Sequence, residues 1–168
     1  MSNTIIRPIA PSDDARLAAI IRSCLAAYRL DIPGTAYFDP ELDRLSAFYA
    51  AAPERRAYFV MEDTEARRIL GGAGLAEFEA IDACCELQKL YLTEQERGHG
   101  LGRELLRAVE ARARELGYRR IYLETHTSLS GALRLYEHSG YRRIRQPVPT
   151  AHTAMDRFYL KELHRANG

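Results

Sequence analysis

Apolar and polar residues alternate along seven short segments of the chain, which is the pattern of half-buried β-strands. The predicted strands cover residues 4–9, 57–61, 69–79, 83–92, 121–125, 141–145 and 153–160. Four other segments repeat apolar residues every three or four positions, which predicts amphipathic helices near 12–28, 41–51, 101–116 and 130–136. This order predicts a mixed α/β domain built around one sheet.

Two of the predicted strands carry additional signals. Glycines occupy three of the four positions 71–74 inside one strand, and they predict that this strand is weakened or bulged. On the strand at 83–92, strict alternation would place every second side chain on a common face. We therefore expect one face to carry Glu86, Gln88, Leu90 and Leu92.

Composition agrees with an ordinary globular protein. The 168 residues favour a single domain, 1–168, and 46% of them are hydrophobic while 28% are charged. A net charge of +1 argues against a dedicated nucleic-acid binder. No segment resembles a secretory leader or a membrane span, so we expect a cytoplasmic protein without a membrane partner. A homodimer is compatible with the general frequency of twofold oligomers.

The cysteines do not suggest a metal site or a disulfide. Cys24 stands alone, and Cys84 and Cys85 are adjacent on a predicted strand, where their side chains would point to opposite faces. The spacing of a zinc site is missing, so we expect no metal. Nothing in the sequence lowers the pKa of these thiols, which makes a covalent acyl-enzyme an unattractive hypothesis.

The segment Arg97–Gly102, Arg-Gly-His-Gly-Leu-Gly, lies between a predicted strand and a long predicted helix. The first amides of a helix have no internal partner, and the helix dipole adds about half a positive charge there. Glycines allow close approach of a phosphate, so the segment predicts a diphosphate site made of main-chain amides, to which Arg97 and Arg103 could add charge. The segment lacks the Lys-Ser/Thr end of a P-loop and the glycine spacing of a Rossmann turn. A nucleotide-phosphate enzyme and a turn without any ligand remain alternatives.

With its surroundings, this segment resembles the signature of the GNAT acetyltransferases, which is Arg or Gln, two residues, Gly, one residue, and Gly or Ala. Here it reads Arg97-x-x-Gly100-x-Gly102. A hydrophobic strand precedes it, and a helix, a strand and the segment 132–141, Ala-Leu-Arg-Leu-Tyr-Glu-His-Ser-Gly-Tyr, follow in the order of the family. The resemblance implies a mixed central sheet of about seven strands with about four helices, and transfer of an acetyl group from acetyl-CoA to an amine.

The resemblance also implies where the cofactor binds. The main chain of Leu90 and Leu92 would pair with the pantetheine arm, and the amides of Arg97–Gly102 would hold the pyrophosphate. Many members carry an Asn where this chain has Leu129, so Ser128 or Ser130 is the alternative donor at that position. The expected cofactor-binding residues are Leu90, Tyr91, Leu92, Arg97, Gly98, His99, Gly100, Leu101, Gly102, Arg103, Ser130, Leu133 and Tyr136.

Amine acetylation needs a base for the ammonium and an acid for the departing thiolate. Tyr136 occupies the position where the family commonly places the acid, and a phenol pKa of about 10 is close to that of an alkyl thiol. Glu86 is the leading base, with an ion pair to Lys89 or an arginine as its alternative role. His126 is a second candidate base, and His152 could reach the acceptor pocket.

The acceptor is harder to derive. In the family it lies under the connection of the first two helices and the loop between the last strands. Asp31, Asp39 and Glu79 could attract a cation, and the expected substrate-binding residues are Tyr28, Tyr37, Phe38, Glu86 and His126. The near-neutral chain favours the primary amine of a small molecule over a polypeptide. A GNAT domain that binds acyl-CoA as a non-catalytic sensor is the alternative function.

Overall fold

Seven strands form one mixed sheet in the computed structural model. The structure describes residues 3–164, so the predicted domain limits, 1 and 168, lie outside the described residues. The strands are β1 (Thr4–Pro8), β2 (Ala57–Asp63), β3 (Arg68–Glu77), β4 (Cys84–Leu92), β5 (Arg120–Thr125), β6 (Arg142–Ile144) and β7 (Arg157–Glu162). In sheet order β1-β2-β3-β4-β5-β7-β6, β4 and β5 pair in parallel and the other neighbours pair antiparallel.

Four α-helices accompany the sheet within residues 3–164, which confirms the predicted fold class. They are α1 (Asp14–Ala27), α2 (Leu45–Ala50), α3 (Leu101–Glu115) and α4 (Ser130–His138). The prediction of a helix from residue 41 was too long, because Leu42–Arg44 forms a 3₁₀ turn and Arg44 leaves helical geometry at φ −141°. The last strand likewise begins at Arg157 rather than at residue 153. None of the described helices is both long and apolar enough to cross a bilayer.

Each face of the sheet has its own hydrophobic cluster. On one face, α3 contributes Leu105, Leu106 and Val109, which pack with the apolar side chains of β3, β4 and β5. On the other face, α1 and α2 pack over Tyr58 and Val60 of β2. Both faces of the sheet are therefore covered by helices.

A β-bulge interrupts β4 at Lys89. Gly72 pairs with Tyr91 and Gly74 with Gln88, so β4 contains one residue more than β3 between these pairs. Lys89 adopts the left-handed region at φ 50°, which is uncommon for a residue with a side chain. The hydroxyl of Tyr58 donates to the Lys89 carbonyl over 2.9 Å and stabilises the bulge.

The bulge changes which side chains of β4 share a face. Leu90 and Leu92 pack with the α3 cluster, whereas Gln88 bonds Tyr49 of α2 on the opposite side of the sheet. The expectation that Glu86, Gln88, Leu90 and Leu92 face the same way was therefore wrong. The extra residue shifts the alternation by one position, and a shift of one residue moves a side chain to the other face.

β4 and β5 separate shortly after they meet. Their pairing joins Cys84–Glu86 to Arg120–Tyr122, and β4 then continues to Leu92 without a partner on that side among the described residues. The parallel strands therefore diverge into a split. Both the glycine-rich segment and the N-terminus of α4 lie at this split.

Candidate functional site

A cavity of about 650 Å³ occupies the split between β4 and β5. The end of β4 forms its floor, the glycine-rich segment forms one end, and the first turns of α4 form a wall. Cys24 of α1 and Tyr28, which follows the last residue of α1, close the remaining side. The lining residues are Cys24, Tyr28, Leu90, Tyr91, Leu92, Arg97, Gly98, Gly100, Gly102, Arg103, Leu129, Ser130, Gly131, Ala132, Arg134, Leu135 and His138.

The main chain of β4 is exposed to this cavity. The amide of Thr93 donates to the Leu70 carbonyl over 2.9 Å, so the main chain at Thr93 points toward β3. Main-chain groups in a strand alternate in direction, and those of Leu92 and Leu90 therefore point the other way, into the split, where the Leu92 carbonyl already accepts from Cys24 Sγ and Arg97 Nε. An extended ligand could add to this edge as a further strand.

The glycine-rich segment presents an open helix end to the same cavity. Gly98 and Gly100 have φ values of 79° and 82°, which favour glycine, and a side chain on either would meet nothing within 4 Å. Gly100 is also the N-cap of α3, and no side chain caps that end. The first amides of α3 are thus available to an anion, and the space beside them admits a diphosphate.

Arg97 is turned away from the glycines. Its guanidinium donates to the Leu92 carbonyl over 3.3 Å, to Cys24 Sγ over 3.1 Å and to the Tyr28 hydroxyl over 3.4 Å. It therefore joins the end of β4 to α1. In this arrangement its side chain shapes the cavity wall, and the main-chain amides form the anion site.

The other expected cofactor residues lie in three kinds of surroundings. Gly102, Arg103 and Ser130 line the cavity, as do Leu90, Tyr91 and Leu92. Leu101 and Leu133 pack against the hydrophobic cluster under α3, and His99 is exposed on the loop. Of the two serines considered in place of the family's Asn, Ser130 faces the cavity and Ser128 is bonded to His126 Nδ1 at 2.7 Å.

Tyr136 is buried beneath the cavity wall, with 6% of its surface exposed. Its ring lies 5.8 Å from that of Tyr141 and 6.2 Å from that of Tyr159. Burial raises the pKa of Tyr136 well above its ordinary value of 10.0, so its hydroxyl stays protonated at neutral pH. The pKa of Tyr91 is raised by its own burial and, to a smaller extent, by Tyr136.

Glu86 lies at the last paired position before the strands diverge. Burial raises the pKa of its carboxyl, and the nearby charge of Glu124 acts in the same direction, while a 2.9 Å hydrogen bond from Gln88 opposes the shift. The alternative role of an ion pair with Lys89 does not fit, since the Lys89 ammonium bonds Asp39 at 2.7 Å and Glu41 at 3.2 Å. Glu86 is thus a half-buried carboxyl with a raised proton affinity.

A cluster of Lys89, Asp39 and His152 forms on the same side of the sheet as Glu86. His152 Nε2 lies 2.8 Å from Asp39 Oδ1, and Lys89 Nζ binds the other carboxylate oxygen. Burial would raise the pKa of Asp39, but the hydrogen bonds and charges of His152 and Lys89 together lower it. Sequence reasoning named Asp39 and His152 separately and did not join them, because the three residues come from distant segments with no local signal.

The remaining acceptor candidates are not brought together at Glu86. Tyr28 contacts Arg97 at the cofactor cavity, and His126 bonds Ser128 at the end of β5. Phe38 is 58% exposed, and its ring lies 5.0 Å from that of Tyr37. Asp31 and Glu79, which were considered as cation-attracting groups, are both exposed and lie outside the Asp39 cluster.

Comparison with known proteins places this geometry in a family. Residues 22–141 match the model of the acetyltransferase (GNAT) family. The chain is 35% identical over 162 residues to YjgM, an uncharacterised N-acetyltransferase of Escherichia coli (strain K12), and the match covers 95% of both proteins.

Solved structures share the fold at lower identity. An acetyltransferase of the GNAT family from Staphylococcus aureus Mu50 superposes with a TM-score of 0.83 at 22% identity, covering 96% of this chain and 99% of the other. The PaiA N-acetyltransferase of Thermoplasma acidophilum, solved with coenzyme A, superposes with a TM-score of 0.74 at 15% identity, covering 95% and 99%.

Proposed function

This chain belongs to the GNAT family of acetyltransferases and is an acyltransferase, and from that premise we propose that it transfers an acetyl group from acetyl-CoA to the primary amine of a small molecule. One observation carries the proposal. The free edge of β4 and the uncapped start of α3 open into one cavity, so a single ligand with an extended amide arm and a diphosphate can contact both.

Successive parts of the cavity match successive parts of coenzyme A. The main chain of Leu90 and Leu92 would hold the pantetheine amides, and the amides of residues 98–102 would hold the pyrophosphate. Ser130 supplies a hydroxyl at the start of α4, where the family's Asn is replaced by Leu129. Acetyl-CoA, when bound, supplies an acetyl thioester that an amine can attack. The Thermoplasma relative of the same fold was solved with coenzyme A, which supports this assignment.

Glu86 would remove the proton of the incoming amine. An alkylammonium has a pKa of about 10, so it needs a base before it can attack at neutral pH. Burial raises the pKa of Glu86 above the ordinary carboxyl value, which brings its proton affinity closer to that of the amine. Its position at the last pairing of β4 with β5, on the strand that leads to the cavity, supports this role.

Tyr136 would hold a proton for the departing sulfur. Its raised pKa keeps the hydroxyl protonated, and the helix that carries it forms the wall of the cavity. Because the raised pKa of Tyr136 exceeds that of a thiol, complete transfer of its proton to the departing thiolate is less favourable than it would be from an exposed phenol. A hydrogen bond from the Tyr136 hydroxyl would nevertheless stabilise the developing thiolate charge.

The low reactivity of the cysteine thiols favours direct transfer between the two bound substrates over a covalent acyl-enzyme. Burial raises the pKa of Cys84 to about 12 and also raises that of Cys85. At neutral pH both therefore remain unreactive thiols. Cys24 lines the cavity, but burial raises its pKa as well, despite the nearby Arg97.

The two loops that cover the sheet near Glu86 favour a small acceptor. The loop before α2 and the loop before β7 are joined by the Asp39–His152 bond and by a 3.0 Å hydrogen bond from the Ala154 amide to the Gly34 carbonyl. Joined loops enclose this side of the sheet, which favours a compact amine over a long polypeptide.

Release of free coenzyme A thiol tests the proposal. The purified chain is incubated with acetyl-CoA and pooled primary amines, and amine-dependent thiol release is expected. Acetyl-CoA is expected to raise the melting temperature while ATP and NAD leave it unchanged, since a ligand of the native state stabilises it. Stabilisation by acetyl-CoA without turnover across a broad panel would favour the sensor function, and stabilisation by ATP or NAD alone would favour a nucleotide-phosphate enzyme.

A further inference from the structure

A chain of two hydrogen bonds connects Glu86 to α2. The Tyr49 hydroxyl donates to Gln88 Oε1 over 2.8 Å, and Gln88 Nε2 donates to Glu86 Oε1 over 2.9 Å. An ionised carboxylate can only accept, so Gln88 must turn its NH₂ group toward Glu86 and its oxygen toward Tyr49. The Glu86 carboxylate therefore fixes the orientation of the amide, and the Tyr49 hydroxyl donates to the oxygen that faces it.

Among residues 3–164, Gln88 is the only side chain that donates a hydrogen bond to the Glu86 carboxylate. Lys89, at the bulge, does not compete for it. Lys89 directs its ammonium to Asp39 and Glu41, which removes a competing cation. Within residues 3–164, the second carboxylate oxygen of Glu86 has no hydrogen-bond partner on the protein. One oxygen is thus held and the other is free to meet a substrate.

Tyr49 holds the α2 end of these two hydrogen bonds in a fixed position. It is 3% exposed, and its ring lies 5.0 Å from that of Phe48 and 5.1 Å from that of Tyr58. Burial raises the pKa of Tyr49, so its hydroxyl remains a donor over the whole range in which proteins are stable. A donor fixed in this way can hold Gln88 in one rotamer.

We propose that Gln88, held by Tyr49, is a positioning residue that aims the free oxygen of Glu86 at the acceptor amine. The proposal rests on the proposed role of Glu86 as the base. It adds that proton removal depends on a side chain that does not itself touch either substrate. A base aligned in advance avoids the cost of orienting it in each turnover.

The substitution Gln88→Met tests this role, because methionine keeps the length of the side chain and loses both hydrogen bonds. We expect kcat to fall about tenfold while the KM for acetyl-CoA stays unchanged. The same substitution in a Glu86→Gln background should cost nothing further, since a residue that acts through Glu86 has nothing left to position. An equal loss in both backgrounds would overturn the proposal.

A titration of the Glu86 carboxyl by ¹³C NMR gives a readout that does not need catalysis. Gln88 donates to the ionised form, so its loss should raise the pKa of Glu86 further and move the ascending limb of the pH–rate profile to higher pH. An unchanged titration in Gln88→Met would overturn the proposal even if no acceptor amine were found. Failure of the proposed function would appear separately, as wild-type protein without turnover.

Two further variants separate positioning from folding. Tyr49→Phe keeps the Gln88–Glu86 bond and should shift the titration in the same direction by a smaller amount, and it serves if Gln88→Met does not fold. Tyr118→Phe is the matched control, since it removes a hydroxyl that bonds the Arg55 carbonyl over 2.9 Å at the surface. The proposal fails if Tyr118→Phe changes the Glu86 titration as much as Tyr49→Phe does.

Discussion

The ring of Tyr58 packs directly on Gly74, and its Cδ2 lies 2.5 Å from the point where a β-carbon at Gly74 would stand. Gly72 is covered in the same way, with Tyr58 Cε1 also 2.5 Å from its β-carbon position. The glycines of β3 thus make room for the ring whose hydroxyl bonds the Lys89 bulge. The shape of β4 at the active site therefore depends on the absence of side chains on β3.

Gly74→Ala should destabilise the protein by about 1–3 kcal/mol, the usual cost of overpacking a filled core. The new methyl group would meet Tyr58 and also the Ala57 carbonyl at 2.6 Å, and main chain cannot move aside easily. Urea denaturation measures the loss. Gly131→Ala is the control, because nothing lies within 4 Å of its β-carbon position, and its stability should stay equal or rise. Equal stability of the two variants would contradict the packing.

The element order and the cofactor end of the site could be predicted because both leave local signals. Alternation and helical spacing depend on neighbours in sequence, and the open helix end at Gly100 depends on glycines within one segment. The pairing of the Leu90 and Leu92 main chain with a cofactor was expected only through the family resemblance, and the split of β4 from β5 was not predicted.

The acceptor end could not be predicted, since its features depend on contacts between distant segments. The bulge has no signal within β4 itself, as the left-handed residue is Lys89 and not a glycine, and the glycines at 71–74 indicated a bulge only for β3. Asp39 and His152 lie 113 positions apart and meet only when two loops fold over the sheet. Arg97 was expected near phosphate, and its contacts with α1 became visible only in three dimensions.

Gly100→Ala should weaken acetyl-CoA binding beyond its effect on stability. At φ 82° an alanine is strained by about 1–2 kcal/mol, and its methyl group would enter the space beside the amides of α3. Gly117→Ala is a matched control at the other end of α3, with φ 89° and equally open surroundings. We expect similar losses of stability in the two variants, and a raised Kd for acetyl-CoA by calorimetry in Gly100→Ala alone. Equal affinities would argue against an anion site at this helix end.

No acetylated enzyme should accumulate when acetyl-CoA is supplied without an amine. Burial holds the pKa of Cys84 at about 12 and raises those of Cys24 and Cys85, so few thiolates exist at neutral pH. Intact-mass spectrometry should show unmodified protein, and iodoacetamide should react slowly until urea unfolds the chain. Acetyl-CoA should slow the reaction of Cys24 further, because Cys24 lines its cavity. An acetyl adduct on any cysteine would contradict direct transfer.

The Asp39–His152 pair should make stability depend on pH. The hydrogen bond and charge of Asp39 raise the pKa of His152 above 6.5, although burial acts against them. The contribution of His152 to the free energy of unfolding is therefore complete below pH 6.5. It is lost as the pH rises through the pKa of His152 in the folded protein. The lowered pKa of Asp39 adds stability above pH 3.8 that is lost as pH falls.

Replacement of the histidine isolates this contribution. His152→Gln keeps a donor for Asp39 but cannot titrate, so the free energy of unfolding should fall less between about pH 6 and pH 9 in the variant than in the wild type. Urea denaturation at several pH values measures the difference. His99→Gln, on the exposed loop, should follow the wild-type curve. Parallel curves for wild type and His152→Gln would show that the pair does not contribute to folding.

Tyr136→Phe should lower turnover by about a hundredfold and leave the affinity for acetyl-CoA nearly unchanged. The ring remains to pack against Tyr141 and Tyr159, and only the hydroxyl, which we propose as the proton donor to the departing sulfur, is lost. Tyr159→Phe removes the hydroxyl of the neighbouring ring, which bonds Glu137 over 2.9 Å, and should affect stability more than turnover. Because burial raises the pKa of Tyr136, wild-type turnover should not fall through loss of its proton below about pH 10. Near-normal turnover in Tyr136→Phe would assign the acid to another group.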